Sequence, residues 1–161
     1  MKKPKRIVLE DGTKEWHLAD KRHRVDGPAI EWADGTKSWW INGKLHRTDG
    51  PAIEWTNGDK AWYLNGERHR EDGPAIIQAN GYKEYWFNDK RHRKNGPAVE
   101  LINGTNVWYQ NGKLHREDGP AIERTNGTNE YWFNGIEVHE GDFQYKIIKA
   151  NEARRLADGK T

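Results

Sequence analysis

The chain repeats itself every 23 residues, and that repeat limits what it can fold into. Asp26-Gly27-Pro28-Ala29-Ile30 returns as Asp49–Ile53, Asp72–Ile76, Asn95-Gly96-Pro97-Ala98-Val99 and Asp118–Ile122. A His-Arg pair precedes each copy: His23-Arg24, His46-Arg47, His69-Arg70, His92-Arg93 and His115-Arg116. A fixed period of this size marks an array of stacked units, each burying its apolar surface against its neighbours. Such an array offers a long surface rather than one deep pocket. Composition matters here for one reason. With 34% hydrophobic and 32% charged residues, a non-repeating chain would lean toward disorder. Nine Trp, six Tyr and three Phe supply the large buried areas that a thin shared core needs.

Several function classes drop out. The 27 basic and 25 acidic residues leave a net charge of +2, short of the basic bias usual in nucleic-acid binders. The chain contains no cysteine, which removes disulfides, thiolate metal sites and a Cys nucleophile. No apolar run is long enough to span a membrane, and Ile7-Val8-Leu9 is too short for a signal-peptide core. A cytoplasmic protein is expected. Histidine columns ~10 Å apart cannot share one zinc ion, so no metal is expected. An active site is a singular constellation, whereas every candidate His, Arg and Asp here recurs. With no nucleophile–base or Gly-rich phosphate motif, no enzyme and no cofactor are expected.

Each unit carries two turn signals. One is Asp11-Gly12, Asp34-Gly35, Asn57-Gly58, Asn80-Gly81, Asn103-Gly104 and Asn126-Gly127; the other is Asn42-Gly43, Asn65-Gly66, Asn88-Asp89, Asn111-Gly112 and Asn134-Gly135, with Ala19-Asp20 as a variant first copy. Both suit tight hairpins. Short aromatic segments lie between them and read as strands, Ala52–Trp55 and Lys60–Leu64 in the third copy. Glu67–Arg70 is not counted as a full strand. An odd number per unit in one antiparallel meander would reverse alternate units and spoil the columns. The expected unit is a hairpin plus an ordered His-Arg-x-Asp-Gly-Pro loop, since Pro cannot donate to a sheet ladder. At ~4.8 Å per strand, six units make a ribbon about 60 Å long.

The end of the chain changes character. Ile136-Glu137-Val138 reads as a last strand, and His139 falls one position off the His column. Phe143, Ile147, Ala150, Ala153 and Leu156 then form one apolar helical stripe. Asp142 suits the start of that helix, Arg154 and Arg155 its last turn, and Gly159 its stop. The expected fold is all-β: an elongated antiparallel ribbon of about six stacked 23-residue β-hairpin repeats over residues 7–138. A C-terminal capping α-helix and tail follow over 139–161, with the helix at about 140–157.

The pattern Trp-x-Asn-Gly-Lys-x-His, at Trp40–His46 and in its Tyr form at Tyr109–His115, resembles the MORN repeat. That family also repeats every 23 residues as stacked β-hairpins in a curved ribbon, and the resemblance covers about residues 7–138. Here Arg24, Arg47, Arg70, Arg93 and Arg116 stand where a MORN repeat continues His-Gly-x-Gly, and the Asp-Gly-Pro-Ala element is additional. The chain is similar to MORN-variant repeats of bacterial and bacteriophage type. The resemblance implies scaffolding and protein–protein contact, sometimes lipid contact, rather than catalysis.

Alternation assigns faces. One side carries Trp16, Trp39, Trp62, Tyr85, Trp108 and Tyr131, with Leu18, Ile41, Leu64, Phe87, Gln110 and Phe133. Ile30, Ile53, Ile76, Val99 and Ile122 are assigned to the same side, as the core. The other side carries His17 and then Trp40, Tyr63, Trp86, Tyr109 and Trp132, among the mainly polar neighbours Ser38, Ala61, Glu84, Val107 and Glu130. An aromatic row on a polar face is either a partner-binding surface or a second packing layer. Arg24, Arg47, Arg70, Arg93 and Arg116 could track a phosphate backbone. Asp26, Asp49, Asp72 and Asp118, two positions after their arginines, favour a loop clamp instead.

The function expected is non-enzymatic recognition of a protein through the Trp40–Trp132 row. For a phage-encoded chain, the partner would be a host protein of immunity or transcription that is blocked or redirected. Oligonucleotide or nucleotide binding through the His-Arg ladder is the alternative. A self-assembling structural component, through open sheet edges, is a third reading.

Overall fold

A computed structural model describes residues 3–157 and residue 159. Met1 and Lys2, and Asp158, Lys160 and Thr161 of the predicted tail, lie outside the described residues. The chain is an all-β ribbon closed by one helix, as the repeat predicts. The unit recurs six times, with its first strand beginning at Lys5, Ile30, Ile53, Ile76, Val99 and Ile122.

Each full unit contains two short hairpins rather than one. In the third, Ile53–Glu54 pairs with Lys60–Ala61 and Tyr63–Leu64 pairs with Glu67–Arg68. The first hairpins join side by side, Lys60–Ala61 pairing with Ile76–Ile77 of the next unit, in a 12-stranded antiparallel sheet. Its path takes two strands from each of the first five units and Ile122–Glu123 from the last, with Lys21–Arg22 joined off the path, so successive units keep one direction and identical residues stack. The second hairpins form a parallel series of their own. Arg47 N–H donates to Tyr63 C=O (3.1 Å) and Gly66 N–H to Leu45 C=O (2.8 Å).

The expected strand Lys60–Leu64 is therefore split at Trp62. The Trp62 N–H donates to Ala75 C=O of the next unit (2.7 Å), while its C=O accepts from His69 N–H of its own (3.2 Å). The first aromatic column is thus the switch point between the two ladders. Glu67–Arg68, the start of the segment expected as loop, is the strand that closes the second hairpin.

The two turn signals build different turns. At the second, Asn65 and Gly66 both have positive φ (53° and 91°), the type I′ geometry whose twist matches paired strands. Ala19 and Asp20 adopt it too (49° and 58°). At the first, only the glycine is left-handed (Gly58, φ 92°). Gly58 N–H donates to Trp55 C=O and Trp55 N–H to Asp59 C=O, both at 3.0 Å, a three-residue loop ending in a glycine bulge.

Register corrects the expected faces. Ile30 stands opposite Ser38, and directly opposed residues share a face. The Ile30 row therefore lies with Ser38 and Trp40, not with Trp39. The most buried row is Ala29, Ala52, Ala75, Ala98 and Ala121, each 0% exposed, where only a methyl fits between adjacent units. Phe87, assigned to the core, is exposed, and Gln110 with it.

The helix runs Glu140–Ala157. Asp142, expected at its cap, lies in the first turn, where its charge opposes the helix dipole; its N–H donates to His139 C=O (3.0 Å). Phe143 is buried, 5.0 Å from the Tyr131 ring centroid, and the Tyr131 hydroxyl donates to Glu140 (2.8 Å). Arg154 reaches back to Glu117 (2.5 Å). The predicted stripe is buried only at its start: Ile147 and Ala150 are half-buried, and Leu156 is 81% exposed. Gly159, with φ 62°, donates to Leu156 C=O as the predicted stop.

Candidate functional site

The His-Arg-x-Asp-Gly-Pro element builds a clamp. Each Arg guanidinium lies over the ring eight residues earlier: Arg24 on Trp16 (4.0 Å), Arg47 on Trp39 (3.8 Å), Arg70 on Trp62 (4.1 Å), Arg93 on Tyr85 (3.8 Å) and Arg116 on Trp108 (4.0 Å). In four copies Nε donates to the Asp two residues on, at 2.9 Å for both Arg24 and Arg47. Nη1 donates to the Pro C=O four residues on, 3.1 Å for Arg47, and to Glu54 (2.8 Å) seven residues on. Ile77 replaces that Glu in the Arg70 copy. The hydrogen bond from Arg47 holds the exposed Asp49 carboxyl below its ordinary range, as Arg24 and Arg70 do for Asp26 and Asp72.

The far side of each guanidinium rests on the glycine of Asp-Gly-Pro. A Cβ at Gly73 would stand 2.9 Å from Arg70 Cζ, so the residue is glycine because a cation is sandwiched between it and an indole. Gly73→Ala is expected to displace that guanidinium and cost about 1–2 kcal/mol, read as a lower urea midpoint with an unchanged slope.

The histidines link units. Nδ1 of each His lies within hydrogen-bond distance of the N–H of the Asn nineteen residues on, Asn42, Asn65, Asn88, Asn111 and Asn134, at 3.1, 3.2, 3.3, 3.1 and 3.0 Å, and in the first three copies also of that Asn's Oδ1, at 2.9, 2.9 and 2.7 Å. Each His thus holds the type I′ turn of the following unit. Burial pushes His115 down, against the opposing pull of Glu117. Among the described residues, no group of three or more His, Asp or Glu side chains is placed to hold a metal ion. No helix there is long and apolar enough to cross a membrane.

The second aromatic row is more enclosed than a free surface. Trp40, Tyr63, Tyr109 and Trp132 are half-buried and Trp86 is 8% exposed. Trp86 lies beneath Arg68 (3.6 Å) and Trp40 beneath Arg22 (5.3 Å). Their neighbours Ser38, Ala61 and Glu84, expected on a polar surface, are buried.

Those neighbours follow a rule within the chain. Where the ring carries an N–H, an acceptor stands two residues earlier. Trp40 donates to Ser38 (2.6 Å), Trp86 to Glu84 (2.7 Å) and Trp132 to Glu130 (3.0 Å), and His17 meets Glu15 (2.7 Å). Where the ring is Tyr63 or Tyr109, the neighbour is Ala61 or Val107. The sequence displays this pairing once the positions are compared copy by copy.

A more exposed apolar row lies on the same face. Leu9, Trp32, Trp55 and Leu101 hold one position in their units, immediately after the first strand, and all are exposed, Trp55 at 40%. Gln78 and Arg124 hold it in the other two. The period locates this row, but Trp55 reads in sequence as the end of a strand and not as a contact residue. No family model and no curated protein matches the chain.

Proposed function

We propose that the chain is a non-enzymatic protein-recognition module that binds through the face bearing Trp40, Tyr63, Trp86, Tyr109 and Trp132. The observation that carries this reading is the exposed row Leu9, Trp32, Trp55 and Leu101, which extends that face to its rim. Adjacent exposed tryptophans on a rigid sheet are the residues that dominate protein interfaces. The half-buried second row serves as their support. The repetition of every candidate acid, base and nucleophile argues against catalysis. The likeness to repeats of bacterial and bacteriophage type makes a host bacterial protein, met in the cytoplasm, the partner in this proposal. The nucleic-acid alternative has weaker support. Each ladder guanidinium stacks on a ring and bonds to a loop carbonyl, and four of the five also bond to an exposed Asp, so little cationic surface is left for phosphate.

The test is capture from bacterial lysate with tagged protein, with and without nuclease. A stoichiometric protein that resists nuclease is expected. Its affinity should fall about 30-fold or more when Trp32→Ser and Trp55→Ser are combined, with the circular dichroism spectrum unchanged. Arg47→Gln should leave the affinity near that of the unaltered chain. Recovery that disappears with nuclease and weakens steeply with salt would replace this reading by the nucleic-acid one.

A further inference from the structure

The two ends of the ribbon differ. At the C-terminal end, the helix covers the last unit through Phe143. At the other end, Lys5–Val8 is the outer strand of the 12-stranded sheet, and all four of its residues are exposed. Among the described residues, nothing pairs with its outer side. Leu9 N–H donates inward to Thr13 C=O (2.9 Å), and inward and outward groups alternate along an antiparallel strand. Ile7 and Lys5 therefore also face inward, and Arg6 and Val8 turn their N–H and C=O outward. Trp16, opposite Arg6, confirms this, because its own N–H and C=O bond to Ala29 and His23 on the far side.

We propose that this edge pairs with the same edge of a second copy, antiparallel, about a two-fold axis through Ile7. In that register Arg6 of each copy opposes Val8 of the other, and their outward groups exchange hydrogen bonds. Ile7 meets Ile7 in the closer, non-hydrogen-bonded position, continuing the Ile30 row across the junction. Charge fits this antiparallel pairing and opposes a slip toward Arg6, which would set Arg6 opposite Arg6. The segment begins basic (Lys3, Lys5, Arg6) and ends acidic (Glu10, Asp11). Antiparallel pairing sets Lys5 opposite Leu9 and brings the basic start of each copy toward the acidic turn of the other, with no like charges directly opposed. The assembly stops at two copies, because the contact is isologous and the opposite end is covered by its helix.

The chain has no cysteine, so one introduced thiol can form a disulfide only between copies. Non-hydrogen-bonded partners stand ~4.5 Å apart at Cα, within disulfide reach. Ile7→Cys is expected to give a covalent dimer under mild oxidation much faster than Ile136→Cys, an exposed control near the other end. Sedimentation of the unaltered chain should show mass rising toward two copies with concentration. Val8→Pro removes an outward N–H and no intrachain bond, and should weaken association about tenfold or more. Should Val8→Pro disturb the fold, Ile7→Lys, which brings two lysines together, supplies the same reading. The proposal is overturned if Ile7→Cys cross-links no faster than Ile136→Cys. It is equally overturned if the chain stays one copy up to about 1 mM, or if association survives both Val8→Pro and Ile7→Lys. None of these outcomes depends on the lysate partner.

Discussion

Glu84→Ala is expected to destabilise the chain by about 2 kcal/mol, the usual cost of leaving a buried donor without its acceptor. Glu84 is buried and accepts from the Trp86 indole (2.7 Å), from Arg91 (2.7 Å) and from the Tyr82 hydroxyl. Its loss strands the buried Trp86 N–H, while the half-exposed Arg91 and Tyr82 can turn to water. Urea unfolding of the single variant measures the effect. Adding Trp86→Tyr should recover about 1 kcal/mol, because contacting groups couple by roughly that much and the Ala61–Tyr63 pair already occupies these positions one unit earlier. A double variant as unstable as the sum of its parts would show that the indole bond carries no share.

The same cluster sets a pH dependence. Burial pushes Glu84 up, but the bonds from Tyr82, Trp86 and Arg91 outweigh it and hold the carboxyl below its ordinary value. A depressed acid stabilises the fold above its unfolded value, and that stability is lost as pH falls through the lower folded value. Tyr82 acts at the other limit. Burial, then Glu84, push its phenol from 10.0 up to about 12. A raised group stabilises below its unfolded value, so stability should decline between pH 10 and about 12. In Glu84→Gln, the acid limb of the stability profile should flatten.

Phe143→Ala is expected to cost about 3 kcal/mol, the ordinary penalty for truncating a buried Phe, and to do so locally. In a linear array each unit touches only its neighbours. Hydrogen exchange should therefore accelerate in the helix and around Tyr131, while the units starting at Ile53 and Ile76 keep their protection. Leu156→Ser should change stability by less than about 0.5 kcal/mol. Comparable effects at the two positions would mean that the whole helix is docked.

The period and turn chemistry were enough to read the hairpin ribbon, the six units and the helix from sequence. Positions 140–157 were legible because the alternation of period two stops and an apolar spacing of three to four begins at Phe143. Register was less legible. Alternation along one strand cannot say which face of the next strand lies beside it: the sequence groups the Ile30 row with Trp39, whereas pairing with Ser38 puts it on the opposite face. The split at Trp62 was also hidden, since a partner switch leaves no mark on residue type. The clamp half-announced itself through Asp49 beside Arg47, but the glycine contact did not. Asp-Gly-Pro reads as a turn, although Gly50 and Gly73 need no left-handed backbone. The exposed Trp32 and Trp55 escaped because a tryptophan closing a strand looks like core until its exposure is known.

The clamp joins residues that straddle unit boundaries: Arg24 ties Trp16 of one unit to Pro28 and Glu31 at the start of the next. The histidine bond likewise spans nineteen residues into the following turn. Every junction is thus built at the same offsets, with Ile77 and Asn95 as the departures within the clamp. A gene segment encoding 23 residues could be duplicated or lost from the middle with no junction left incomplete, whereas one inserted residue would break the contacts at its own. Length in such a molecule is a quantity that recombination can change in whole steps. The spacing between any two contact points on its surface then changes by a fixed increment, without any new side chain having to be found.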